Sequence, residues 1–145
     1  MKFTKIGIWL SVFALLAISC GEDTTQAKKE YDQLFHQVLE IHDEVMPKMA
    51  DIPQLTKKLD RIADSTANEQ RIKEAKAKLK QADKIMMDWM HSFSDEFVRN
   101  KAAVQKMSHQ ELQARIEALQ KELNQVKEMQ DKIDSSIENA RELIQ

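Results

Sequence analysis

The most regular pattern of apolar positions lies in the last third of the chain. Leu112, Ile116, Leu119, Leu123, Val126, Met129, Ile133, Ile137, Ala140 and Ile144 follow one another at steps of three and four. Nine steps cover 32 positions, a mean near 3.56, between about 3.6 for a straight helix and 3.5 for a coiled-coil seam. The pattern predicts one helix over 108–144, ~55 Å long at about 1.5 Å per residue. Ser108 and Glu111 have the spacing of a capping box, in which each side chain satisfies an amide left free by the first turn. Glu111–Arg115, Glu117–Lys121 and Glu128–Lys132 each place an acid four residues before a base. They are expected as outer-face pairs, supporting the helix by ~0.3 kcal/mol apiece.

Two weaker patterns precede it. Between residues 28 and 64, Tyr31, Leu34, Val38, Ile41, Val45 and Met49 form one stripe. Phe35, Leu39, His42 and Met46 form a second beside it, as expected of a helix packed on more than one neighbour. Pro47 cannot donate to the carbonyl of Asp43, so a kink is expected there. Asp51 and Pro53 read as a restart with a cap and a first-turn proline, and Leu55, Leu59 and Ile62 continue the stripe. Residues 64–69 are the clearest interior break, with Thr66 and Glu69 at capping-box spacing. The helix predicted over 67–98 carries Ile72, Ala75, Leu79, Ala82, Met86, Trp89, Phe93 and Phe97. Its early polar face holds Lys73, Lys76, Lys78, Lys80 and Lys84, interrupted by Glu74 and Asp83, and reads as a solvated face. Residues 92–107 fit a frayed helix end, a short helix or a helical connection. The expected fold is all-α, an antiparallel, coiled-coil-like three-helix bundle with a bent first arm. A four-helix bundle results instead if 47–53 makes a full turn.

Composition reinforces this. The chain of 145 residues has two glycines, Gly7 and Gly21, and two prolines. Phosphate-cradling loops, dinucleotide fingerprints, nucleophile elbows and tight hairpins all depend on glycine. Residues 22–145 contain none, so their turns fall to Ser, Thr, Asn, Asp and Pro.

The first 20 residues differ from the rest. Lys2 and Lys5 precede an apolar run from Ile6 to Ile18, too short to span a bilayer comfortably. The run ends in Leu16-Ala17-Ile18-Ser19-Cys20, which resembles the lipobox of bacterial lipoproteins. The resemblance implies a signal peptide over 1–19, cleavage before Cys20 and acylation of Cys20, the chain's single cysteine. Several acyl chains on one residue anchor stably where one chain does not. Residues 20–27 are then a lipidated, extended tether reaching ~25 Å, and 28–145 the bundle domain. The acidic pair Glu22-Asp23 resembles a surface-export signal. Loss of Lys2 and Lys5 takes 22 basic side chains to 20 against 24 acidic, a net charge of −4. That balance argues against a nucleic-acid partner.

Candidate chemistry is sparse. His42 and Met46 are four apart, as are Met86 and Met90, so each pair shares a helix face. With Met49 and His91 they make a set of thioether and imidazole groups suited to Cu(I). Core packing explains the same residues, since Met fills gaps and packs on aromatics. Asp88 and His91 are half of a di-iron motif that needs a second copy, and none is present. No nucleophile, base and oxyanion donor assemble in recognisable form, so no enzyme, cofactor or small-molecule substrate is expected.

The stretch from Ile41 to Met49, with Met86-Met87-Asp88-Trp89-Met90, resembles a group of small Bacteroidota lipoproteins. Some of these carry the label "viral A-type inclusion protein", which implies coiled-coil character and no viral role. The expected protein is a lipid-anchored helical bundle of a Gram-negative envelope, placed in the outer membrane. It would work by contact with an envelope protein or with itself. The alternatives are envelope copper binding and a holdase-like chaperone that grips clients between helices.

Overall fold

The computed structural model describes residues 19–62 and 68–145, with side chains from Thr24 onward. The chain is an all-α helical bundle. Helix α1 runs over Ser19–Met49 and α2 over Asp51–Ile62. Helix α3 spans Glu69–Phe93, and α4 spans His109–Ile144. Between the last two lie a π-helical turn, Ser94–Val98, and a 3-10 helix, Lys101–Lys106. Residues 1–18 of the expected signal segment 1–19 and the expected cap Thr66 fall outside the described residues.

The first arm is bent rather than reversed. Pro47 lies in the last turn of α1, and the amide of Ala50 bonds back to the Pro47 carbonyl at 3.4 Å where the helix breaks. Both α1 and α2 pack along α4. Three contacts fix the direction: Gln130 donates to Glu44 at 3.2 Å, Lys48 pairs with Asp134 at 2.7 Å, and Arg141 pairs with Asp51. Their numbers rise together, so the first arm runs parallel to α4. Helix α3 runs antiparallel to both, as Glu96 against Arg115 and Trp89 against Glu122 show.

The core follows the apolar pattern closely. All eight apolar positions named on α3 and its π turn are buried, as are nine of the ten on α4, with Ile144 half-buried. Tyr31, Val38, Val45, Leu59, Leu79, Leu112, Leu119 and Ile133 have no measurable exposure. The capping box of α4 is formed on both sides. The Glu111 amide donates to Ser108 Oγ at 3.4 Å, and the Ser108 amide donates to the Glu111 carboxylate at 2.7 Å.

Three expectations need correction. Residues 20–27 are not extended: α1 begins at Ser19, and Ala27 is buried at 2% exposure. No glycine or proline interrupts residues 22–27, and Ala27 gives that turn a core contact. Eight helical residues span ~12 Å, half the reach of an extended tether. Second, Arg115 does not pair with Glu111 on the outer face. Glu111 is occupied by Ser108, and Arg115 turns inward to Glu96. Among the described residues, Glu117–Lys121 and Glu128–Lys132 do not close into ion pairs either, because a solvated pair gains little from holding two long side chains still. Third, Met46 is 38% exposed rather than part of a buried stripe.

Candidate functional site

Several polar side chains meet the core at the end of the bundle where α3 passes through its π turn. Trp89, Phe93 and Phe97 stack in a column on α3, with centroid separations of 4.9 and 5.2 Å. An α-helix advances by more than a full turn over four residues, so such a column drifts sideways. The π turn, closed by the Arg99 amide on the Ser94 carbonyl at 3.1 Å, holds more residues per turn. The step from Phe93 to Phe97 then drifts less, and Phe97 stays over its neighbour. Such turns recur at functional sites.

Helix α1 closes one side of the column. Phe35 lies 5.5 Å from Phe93, and the His42 ring stacks on Trp89 at 5.6 Å. Helix α4 closes the other. Trp89 Nε1 donates to Glu122 at 3.1 Å. Arg115 sits over the Phe97 ring at 4.9 Å, donates to the Glu96 carboxylate at 3.2 Å and to the Glu96 carbonyl at 2.6 Å. A cation over an aromatic face and a charge-assisted bond to a carbonyl both favour this inward pose. Lys101 of the 3-10 helix lies over Phe35 at 4.4 Å, and Lys28 donates to the Gln105 carbonyl at 2.9 Å.

Burial shapes the acid–base behaviour here. Desolvation pushes the Glu122 carboxyl above its ordinary range, against the Trp89 bond that lowers it, with Glu96 adding repulsion. Burial likewise raises Tyr31, and the Arg115 charge opposes that rise. Among the described residues, Tyr31 Oη and Arg115 Nε find no hydrogen-bond partner although both are buried. Two such atoms in one small region are uncommon, since buried polar groups are nearly always satisfied.

The two histidines of the sequence-derived ligand set do not meet. His42 faces Trp89 and its Nδ1 is 3.0 Å from Asp43. His91 follows Trp89 by two residues, about 200° around α3, and is exposed. The two histidines therefore sit on opposite sides of that helix. Met86 is buried at 1% exposure, Met49 and Met90 are half-buried, and Met46 faces solvent. Among the described residues, no three His, Cys, Asp or Glu side chains group as metal ligands would.

Glu122 was not singled out in sequence, and Arg115 only as an outer-face partner of Glu111, yet a signal for both existed. Each follows an apolar position of α4 by three, after Leu112 and Leu119, and they are a heptad apart. That register flanks a core seam. Ser136 continues it, is 7% exposed, and satisfies its hydroxyl on the Lys132 carbonyl at 2.6 Å. Chemically the arrangement is a brace: aromatic faces, one guanidinium and two carboxylates bind three helices together. No described helix is long and apolar enough to cross a membrane. No family model, curated protein or solved structure matches the chain.

Proposed function

We propose that the chain is a lipid-anchored protein of a Gram-negative cell envelope, in the outer membrane. It acts without catalysis, through protein–protein contact. The observation that carries the anchor is Leu16-Ala17-Ile18-Ser19-Cys20 after a short apolar run and two lysines. A rigid rod of ~54 Å, set by the 36 residues of α4, supports the contact role. Among the described residues, the interior polar groups brace helices.

The anchor is tested by expressing the full chain and Cys20→Ser in a Gram-negative host fed an alkyne fatty acid. Label on Cys20, with loss of both label and membrane retention in Cys20→Ser, is the expected result. An unlabelled chain would overturn the anchor. The contact role is tested by cross-linking in intact envelopes: the full chain is expected in a larger, reproducible species, and a strict monomer would refute it.

A further inference from the structure

We propose that the groove between α2 and α3 is a docking site for the acidic face of α1 in a second copy of this chain. This rests on the contact role above but not on the anchor.

The chain's charge is unevenly spread. Residues 57–80 hold eight basic and four acidic side chains, a net +4 in a chain of net −2. Of the eight, only Lys76 holds a carboxylate in an ion pair among the described residues, that of Asp60. At the edge of this region α2 and α3 enclose a groove of about 520 Å³. Ile52, Pro53 and Ala77 supply apolar lining, Lys76 and Lys80 supply positive charge, and Asp83 adds one carboxylate. The two lysines are four residues apart on α3, so they stand one above the other on one helix face.

The opposite pattern lies on α1. Glu40 and Asp43 are three apart and therefore also share a face. Both are exposed, and Asp43 remains 77% exposed although it holds His42. Leu39 and Met46 flank them, half-buried and 38% exposed respectively. Two carboxylates one turn apart, edged by apolar side chains, match Lys80 and, by exchange with its exposed Asp60 partner, Lys76 beside an apolar lining. A helix laid along α3 meets both lysines at once. A pure polyanion would use the lysines and leave Pro53 and Ala77 wet. Helix α4 has no large exposed apolar side chain to offer, so the α1 face is the better complement within this chain.

The two surfaces are different, so the contact is heterologous and does not close on itself as a two-fold dimer does. It predicts rows of copies, weakened by salt because the charges lie at the surface.

The test is sedimentation velocity on the detergent-solubilised full chain at 50 and 500 mM NaCl. Association at low salt and at least tenfold weaker association at high salt are expected. A groove variant, Lys76→Glu with Lys80→Glu, and a face variant, Glu40→Lys with Asp43→Lys, should each be monomeric alone. Mixing them should restore association, because each then meets the opposite charge. All four positions are solvent-accessible, and circular dichroism checks that both variants keep the wild-type helix content. A wild-type monomer at low salt, variants that associate normally, or a mixture that stays monomeric would each overturn the proposal. An envelope cross-link to a different protein, with the chain itself monomeric, would leave the contact role standing and sink only the self-docking.

Discussion

Glu122→Gln isolates the cost of holding a charge beside Trp89. The amide keeps the size of the carboxylate and still offers a carbonyl to Trp89 Nε1, now at 3.1 Å from Glu122. What disappears is the ionised group, whose desolvation raises the carboxyl's affinity for a proton in the folded state. A raised folded value means that the wild-type carboxyl is best tolerated when protonated. Its favourable share of stability is complete below the unfolded value, ~4.3, and is lost as pH climbs through the folded value. At pH 7 the wild type therefore carries the full burden and the variant none. Solvent still reaches Glu122, so the gain is ~0.5–1 kcal/mol, below the 1.4 kcal/mol of a full pKa unit. With an unfolding entropy of ~2 cal/mol/K per residue, that is a rise in Tm of ~2–4 °C at pH 7. The difference should shrink towards zero near pH 4. Urea melts followed by Trp89 fluorescence and by circular dichroism provide the measurement, with Glu122→Leu as the contrast. The leucine leaves the indole N–H without an acceptor and should cost ~1–3 kcal/mol at every pH. A glutamine variant less stable than wild type at pH 7, or a difference that persists at pH 4, would refute the reasoning.

Other outcomes follow from the same geometry. Leu119→Ala empties a fully buried position in the middle of α4 and should cost ~3 kcal/mol, or ~10 °C in Tm; a loss under 1 kcal/mol would mean that the seam is not tightly packed. Ser108→Ala removes half of the box that starts α4 and should cost ~1 kcal/mol in a denaturant melt, with Ser108→Thr close to neutral. Arg115→Met keeps the side-chain stem over Phe97 and relieves the unpartnered Nε while losing the Glu96 contacts. These opposing effects leave a net cost of ~1 kcal/mol, whereas Arg115→Ala should cost more by stripping the packing as well. Calorimetry on the pair separates the two.

The architecture was legible because each helix writes its buried face at steps of three and four. Leu112 to Ala140 and Ile72 to Phe97 are core positions in both sequence and structure. The Ser108 box was legible because its two halves are three residues apart and act locally. Less local features were hidden. The π turn at 94–98 has no local signal in Ser-Asp-Glu-Phe-Val and accompanies the packing of Phe97 on Phe93. Arg115 had a local partner in Glu111 and a distant one in Glu96. Sequence spacing favours the first, and the aromatic ring beneath Arg115 decides for the second. Met46 sits at a stripe position but beyond the width that α3 and α4 cover. The two candidate histidines failed to meet for a simple reason: spacing within one helix says nothing about which side of its neighbour it meets, and Trp89 took the place beside His42.

The parallel course of α1 and α4 has a mechanical consequence. Residue 24 lies at one end of the rod and residue 140 at the other. A pull between the two ends loads the first arm against α4 along their shared length. The Glu44, Lys48 and Asp51 contacts then strain together, as rivets in a lap joint do, and no single contact takes the whole load. Antiparallel neighbours pulled from adjacent ends would instead peel open one contact at a time. Such a joint yields stiffly until many contacts fail at once.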